Sequence, residues 1–307
     1  MILCISLSPC IEHNMEVDSL GVGKVNKVIS KRSFITGNAL NVATGIARLG
    51  GEAFATGFMF EENGRLFEQE LHKEGVTYKF VWNKGRVREV YKLVDMRSML
   101  TQIEDDSSKI SPENAQQLIQ LVKELSKQCN AVVFSGICPE GLGDGYIESL
   151  IDAIDENALI IVDTKGKDLS KLIRRGVDLV KPNLDEMQDA LQINITDLES
   201  MKMACKLVVK SGAKRVLLSL GKKGAVICDG EKTLYCTSLN VAMNSTAGAG
   251  DAMVAAAAKA MASGADTDEI LRCGVAAGTA SVTTPDSISF NKSKYEEILT
   301  TLNVKEI

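Results

Sequence analysis

Between Ser111 and Leu220 short apolar runs alternate with helical stretches, and no other feature of the sequence narrows the fold so far. Ser111-Pro112 opens the series as a helix start, with Ser as N-cap and Pro at the first helical position. Strands are expected at 131–134, 159–162, 178–180 and 216–220, with helices near 146–154, 169–174 and 185–191. A further helix is expected from Thr196 and Glu199, read as a capping box, to Gly212. Strands separated by helices pair in parallel, and the helices cover both faces of the sheet. Sheets of that kind bind ligands beyond the carboxyl ends of their strands. Here those ends are Ser135-Gly136, Asp163-Thr164, Lys181-Pro182-Asn183 and Ser219-Leu220-Gly221, each carrying polar residues or glycine.

The rest of the chain fits around that core. A strand at 2–7 stops at Ser8-Pro9, and a helix at 41–49 is stopped by Gly50-Gly51. A strand at 53–59 and a helix at 64–74 follow. From 80 to 103 no helical period appears; β-leaning pieces at 87–94 and 99–103 carry interleaved charges, the pattern of a sheet with one wet face. The runs 225–228 and 233–236 flank Asp229-Gly230 and read as a hairpin. The fold class expected is α/β, a Rossmann-like, mostly parallel sheet covered by helices on both faces.

The stretch Asn244 to Asp251 stands just before a helix of small residues, Ala252-Met253-Val254-Ala255-Ala256-Ala257-Ala258. Gly248 and Gly250 let a ligand approach the main chain closely. Helix-start amides are unpaired and carry partial positive charge, so the segment is a natural anion site. Asp251 reads either as a base held beside a bound phosphate or as an ordinary N-cap.

Composition removes several alternatives. The net charge is −5 and no basic stripe occurs, which argues against a nucleic-acid partner. Eight cysteines without a C-x-x-C pair, and only His13 and His72, argue against a zinc site or a disulfide framework. The N-terminus lacks a basic flank, and the longest small-apolar run is broken by Lys259, so neither a signal peptide nor a membrane span is expected and a cytoplasmic location follows. No G-x-x-x-x-G-K-[ST] run is present, so a P-loop is not available.

Taken in order, Leu7-Ser8-Pro9, Gly50 to Gly57 with Asn63-Gly64, Ser135-Gly136 with Pro139, Val162-Asp163-Thr164, Lys181-Pro182-Asn183 with Glu186, Ser219-Leu220-Gly221 with Gly224, and Gly248-Ala249-Gly250-Asp251 resemble the ribokinase-like (pfkB) carbohydrate kinase family. The similarity is greatest to its 1-phosphofructokinase and tagatose-6-phosphate kinase branch, and it covers nearly the whole chain. The resemblance implies one kinase unit over 1–307, with a small β-sheet lid from segments near 11–34 and 85–106. It implies ATP as donor, Mg²⁺, and a sugar hydroxyl as acceptor. By the same resemblance Asp251 is the catalytic base, and Gly248, Ala249 and Gly250 form the main-chain oxyanion site. Asn183 and Glu186 match the motif that holds Mg²⁺, Lys181 reaches the ATP phosphates, and Ser219, Gly221 and Gly224 match the nucleotide loop. Glu12, Gly37, Asn38, Asn41, Arg88 and Ser135 fall on the acceptor side, together with Asp251. Lids in this family often pair, so a homodimer through the lid is one expected assembly.

Read without the resemblance, several of these residues keep plainer roles. Asn183 and Glu186 form a helix-start capping pair, Gly221 and Gly224 are turn glycines, and Lys181 and Arg88 are solvated charges. The acceptor side also departs from the branch. Glu12 stands where Asp is usual, Asn38 where Lys is usual, and Glu104-Asp105-Asp106 where Asn-Glu-Pro is usual. Three readings follow: a kinase of fructose 1-phosphate or tagatose 6-phosphate giving the bisphosphate, a kinase of an unphosphorylated sugar or nucleoside, and a non-catalytic ATP- or sugar-binding regulator.

Overall fold

The computed structural model describes residues 1–106, 108–139, 141–284 and 291–307. Among these residues ten strands form one sheet, in the order Val304–Glu306, Thr233–Cys236, Ala225–Cys228, Val216–Ser219, Leu179–Val180, Leu159–Asp163, Ala131–Ser135, Ile2–Ser6, Ala53–Phe60 and Thr77–Asn83. Every pairing from Val216–Ser219 to Thr77–Asn83 is parallel. The three pairings at the other edge are antiparallel and include the expected hairpin.

The central parallel strands are largely apolar up to their carboxyl ends because both their faces are covered. Under one face lie Asn38–Arg48, Ala249–Ala262 and Thr267–Ser281; under the other lie Pro112–Ser126, Tyr146–Asp152, Gly166–Arg175 and Leu198–Lys210. Ala249–Ala262 is buried along most of its length, and its alanines allow close approach of the neighbouring helices. At Gly274 a Cβ would lie 3.2 Å from Met253 Cγ, so glycine here keeps the two helices in close contact without displacing that side chain.

Four other strands, Val28–Thr36, Cys10–Val17, Arg88–Asp95 and Leu100–Glu104, form a second, smaller sheet in that order. They lie within or just beyond the two segments read from sequence as irregular and β-leaning. Thr77–Asn83, unassigned in the sequence reading, joins the edge of the large sheet instead. No helix among the described residues is long and apolar enough to cross a membrane.

Several helix starts differ from expectation; the helix expected at 169–174, for one, begins at Gly166. The box assigned to Thr196 and Glu199 lies one residue later: Asp197 Oδ1 accepts from the Ser200 amide at 2.8 Å, and Ser200 Oγ accepts from the Asp197 amide at 3.0 Å. Ile195 is buried and fixes the chain just ahead, so the carboxylate rather than the Thr196 hydroxyl meets the first-turn amides. The helix expected from residue 41 begins at Asn38, whose exposed side chain reaches, like the buried Asn41, to the carboxylate of Asp251.

Candidate active site

The start of Ala249–Ala262 is capped by Gly248, whose φ of 78° is left-handed and which offers no side chain to the first turn. Asp251 is therefore the third helical residue and not the N-cap. It is 6% exposed. Its partners come from another helix. Asn41 Nδ2 donates to Asp251 Oδ2 at 2.7 Å, and Asn38 Nδ2 donates to Oδ1 at 3.2 Å. Asn38 and Asn41 share a helix face because they are three residues apart, and Gly37 caps the helix that carries them.

Burial pushes the Asp251 carboxyl up to about 7, and the negative charge of Asp163 adds to the shift. The Asn41 and Asn38 hydrogen bonds and the charge of Lys181 oppose it. A carboxylate of that basicity, beside the amides of a helix start, is suited to accept a proton at neutral pH.

Lys181 is buried, and its Nζ lies 3.1 Å from Asp163 Oδ1. Burial works against its charge, but Asp163, Glu186 and Asp251 outweigh that and hold its pKa above the usual lysine value. Ser135 Oγ donates to the other oxygen of Asp163 at 3.2 Å, a contact set by the parallel register that places Ser135 beside Asp163. A Cβ on Gly250 would lie 3.4 Å from Lys181 Nζ, so the lysine stands directly against the helix start. Asp163 carries no assigned role in the sequence reading. Its signals there are its position at a strand's carboxyl end and its place in the Val162-Asp163-Thr164 stretch that carries the family resemblance.

Beside Lys181 and Gly250 opens a cavity of about 710 Å³. Asn183, Ser219, Gly221 and Gly224 line it on the sheet side, and Leu239, Val241, Met243, Val275 and Val282 give it an apolar wall. Gly224 has φ 101°, and a Cβ there would fall 2.0 Å from the Cys236 carbonyl oxygen, so only glycine lets this turn pack against the next strand. Asn183 and Glu186 form a complete capping box: Asn183 Oδ1 accepts from the Glu186 amide at 2.9 Å, and Glu186 Oε2 accepts from the Asn183 amide at 2.8 Å. The plainer reading of this pair is thus realised. The carboxylate and amide oxygens are also hard donors of the kind Mg²⁺ takes alongside its own waters, so the pair fits a water-mediated cation.

The smaller sheet supplies the remaining residues. Its register sets Cys10, Glu12 and Asn14 level with Arg88, Val90 and Lys92, on one face. Thr36 lies opposite Cys10, and its Oγ1 accepts from Asn41 Nδ2 at 3.2 Å, which ties this face to the surroundings of Asp251. Glu12 is buried and is held at 2.6 Å by Lys92 Nζ. Arg88 Nη1 lies 3.3 Å from Glu104 Oε2, and Arg88 Nε is buried with no partner. Lys92 has no expected role in the sequence reading, because an alternating strand with several charges does not reveal which of them faces a site.

Comparison with known proteins follows the same lines. The pfkB family carbohydrate kinase domain matches residues 1–294. A 1-phosphofructokinase of Borreliella burgdorferi is 26% identical over 308 residues, covering 100% of this chain and 99% of that protein. A tagatose-6-phosphate kinase of Staphylococcus epidermidis is 24% identical over 311 residues, covering 100% of both. The crystal structure of phosphofructokinase-2 from Escherichia coli in complex with fructose-6-phosphate superposes with a TM-score of 0.87 at 26% identity, covering 97% of this chain and 98% of that one.

Proposed function

Because the chain belongs to the pfkB family of carbohydrate kinases, we propose that it moves the terminal phosphoryl group of ATP onto a hydroxyl of a hexose phosphate, fructose 1-phosphate or tagatose 6-phosphate, and releases ADP and the bisphosphate. The observation that carries this reading is the buried Asp251 at the helix start, pushed up to about 7 and set against Lys181. Asp251 takes the proton of the attacking hydroxyl as its oxygen bonds to the γ-phosphorus and the bond to ADP breaks. The amides that follow Gly248, at Ala249 and Gly250, and the Lys181 ammonium stabilise the charge on the transferring group. ATP lies along the cavity, its phosphates toward Lys181, Ser219 and Gly221 and its base against Val241, Val275 and Val282. Mg²⁺, held through water by Asn183 and Glu186, would supply charge neutralisation on the phosphates.

On the acceptor side, Asn38, Asn41 and Ser135 border Asp251 directly or through Asp163. Glu12 receives sugar hydroxyls, and Arg88 receives the phosphate already present. The smaller sheet acts as a lid, and two lids pair in a homodimer. The names of the relatives and the fructose-6-phosphate bound to the Escherichia coli neighbour support a phosphorylated acceptor. A second reading, an unphosphorylated acceptor, draws on Arg88 being engaged by Glu104 and on the uncharged Asn38.

A coupled ADP-release screen over fructose 1-phosphate, fructose 6-phosphate, tagatose 6-phosphate, free hexoses and nucleosides separates the two. Higher kcat/KM on a hexose phosphate supports the first reading; preference for a free sugar or nucleoside replaces it with the second.

A further inference from the structure

The cation acting on Asp251 is Lys181, and Lys181 is committed to Asp163. A phosphate ester on the acceptor brings about two negative charges at neutral pH, so it calls for further cations, and the smaller sheet offers two. There the charges form an ordered pattern. Arg88 and Lys92 lie on the same face of one strand, and Glu12 and Glu104 are level with the position between them. The register and the two ion pairs place all four charges in a single patch. Each cation is occupied by one carboxylate, Lys92 by Glu12 and Arg88 by Glu104. Arg88 Nε is buried without a hydrogen-bond partner, so the contact with Glu104 leaves the guanidinium unsatisfied.

Resting on the hexose-phosphate reading, we propose that Lys92 grips the acceptor's existing phosphate together with Arg88. Glu12 and Glu104 occupy the two cations until that phosphate arrives and then give way to it. The exchange has a consequence for selectivity. Once released by Lys92, Glu12 is free to accept hydrogen bonds from sugar hydroxyls. An acceptor without a phosphate leaves Glu12 tied to Lys92 and gains neither contact. Lys92 is thereby a specificity-determining residue, and it discriminates by charge exchange rather than by shape.

The test measures kcat and KM for ATP, a hexose phosphate and the matching free hexose, in the wild type and in Lys92→Met, Lys92→Arg, Arg88→Ala and Glu104→Gln. Lys92→Met is expected to raise KM for the hexose phosphate about ten- to a hundredfold, the loss of one charge-assisted contact. KM for ATP should stay unchanged, the preference over free hexose should shrink, and Lys92→Arg should restore most of it. Glu104→Gln leaves the buried Glu12–Lys92 pair intact and frees Arg88, so it should lower KM for the hexose phosphate. This variant keeps the test decisive if Lys92→Met misfolds. An equal loss on phosphorylated and free acceptors in Lys92→Met overturns the proposal, since Lys92 would then act only by holding Glu12. So does an unchanged KM there while Arg88→Ala raises it, a result that leaves the hexose-phosphate reading standing. An unchanged or raised KM in Glu104→Gln overturns the exchange. If the wild type prefers free hexose and neither cation variant moves KM, the functional reading fails together with the proposal.

Discussion

Asn41 Nδ2 stands 2.7 Å from Asp251 Oδ2 and 3.2 Å from Thr36 Oγ1, so one amide joins the candidate base to the smaller sheet. The base is therefore set by groups from three parts of the chain. Burial beside the large sheet raises its basicity, Asp163 at a strand end raises it further, and Asn41 and Asn38 on a neighbouring helix lower it.

The pH dependence follows with a definite sign. Asp251 must be ionised to act, and its carboxyl is pushed up to about 7. kcat/KM should fall as pH drops below about 7, with a single proton on the acid limb. Asp251→Asn should cut turnover about a hundred- to ten-thousandfold while leaving ATP binding near normal. Stability runs the other way. A carboxyl whose folded pKa is raised favours the fold at pH below its unfolded value, and that contribution is lost as pH rises through about 7. Thermal melts of Asp251→Asn should thus exceed wild type at pH 8, with the gap narrowing toward pH 4. Near-normal turnover in the variant would remove Asp251 as the base.

Asp163 and Asn41 should move the acid limb in opposite directions. Asp163→Asn deletes a negative neighbour of Asp251 and should shift the limb to lower pH. Asn41→Leu deletes a hydrogen bond to the ionised form and should shift it to higher pH. Asp163→Asn should also raise KM for ATP, since Lys181 loses the carboxylate that positions it. pH–rate profiles of the two variants decide the matter; shifts of the same sign would show that one of the two does not act on Asp251 as described.

Much of this arrangement was legible in the residue order. The central parallel strands are near-continuous apolar runs because both faces are covered, and their polar ends marked the edge where the cavity opens. The hairpin was legible from Asp229-Gly230. The helix start at Asn38 was not, because polar residues that face a buried carboxylate look like loop residues in sequence. Asp163 and Lys92 were missed for a shared reason. Each acquires its role from a partner on a different strand, Lys181 and Glu12 respectively, and such pairing depends on register rather than on local pattern.

Glu186 can be assigned by separating its charge from its hydrogen bond. Its carboxylate completes the capping box with Asn183. Glu186→Gln keeps an acceptor for the Asn183 amide but removes the charge, whereas Glu186→Ala removes both. If the pair holds Mg²⁺, both variants should raise the Mg²⁺ concentration needed for ATP binding in titration calorimetry. If the pair only caps the helix, Glu186→Gln should behave as wild type, and Glu186→Ala should lose about 0.5–2 kcal/mol of stability with metal dependence unchanged.

The last prediction concerns assembly. The far end of the smaller sheet, away from Asp251, carries an exposed apolar surface: Val22, Val25, Val28 and Ile29 from one segment, and Val94, Met96, Met99 and Leu100 from the other. Val25 is 94% exposed and Met96 76%, values that polar residues would ordinarily occupy in a lone domain. The Met96 amide donates to the Asp18 carbonyl at 3.3 Å, so the two turns form one continuous surface. Burial against a second copy would remove it from water, which favours association by roughly 25 cal/mol per Å² of apolar area before ordering costs. Sedimentation velocity at micromolar protein should therefore show a dimer, and Val25→Asp combined with Leu100→Asp should give a monomer with an unchanged circular dichroism spectrum. Glu12, Arg88 and Lys92 are carried on the same sheet. Loss of the dimer should consequently raise KM for the acceptor more than KM for ATP. A monomeric wild type would remove the dimer altogether, and a dimer that survives both charges would place the contact elsewhere on the chain.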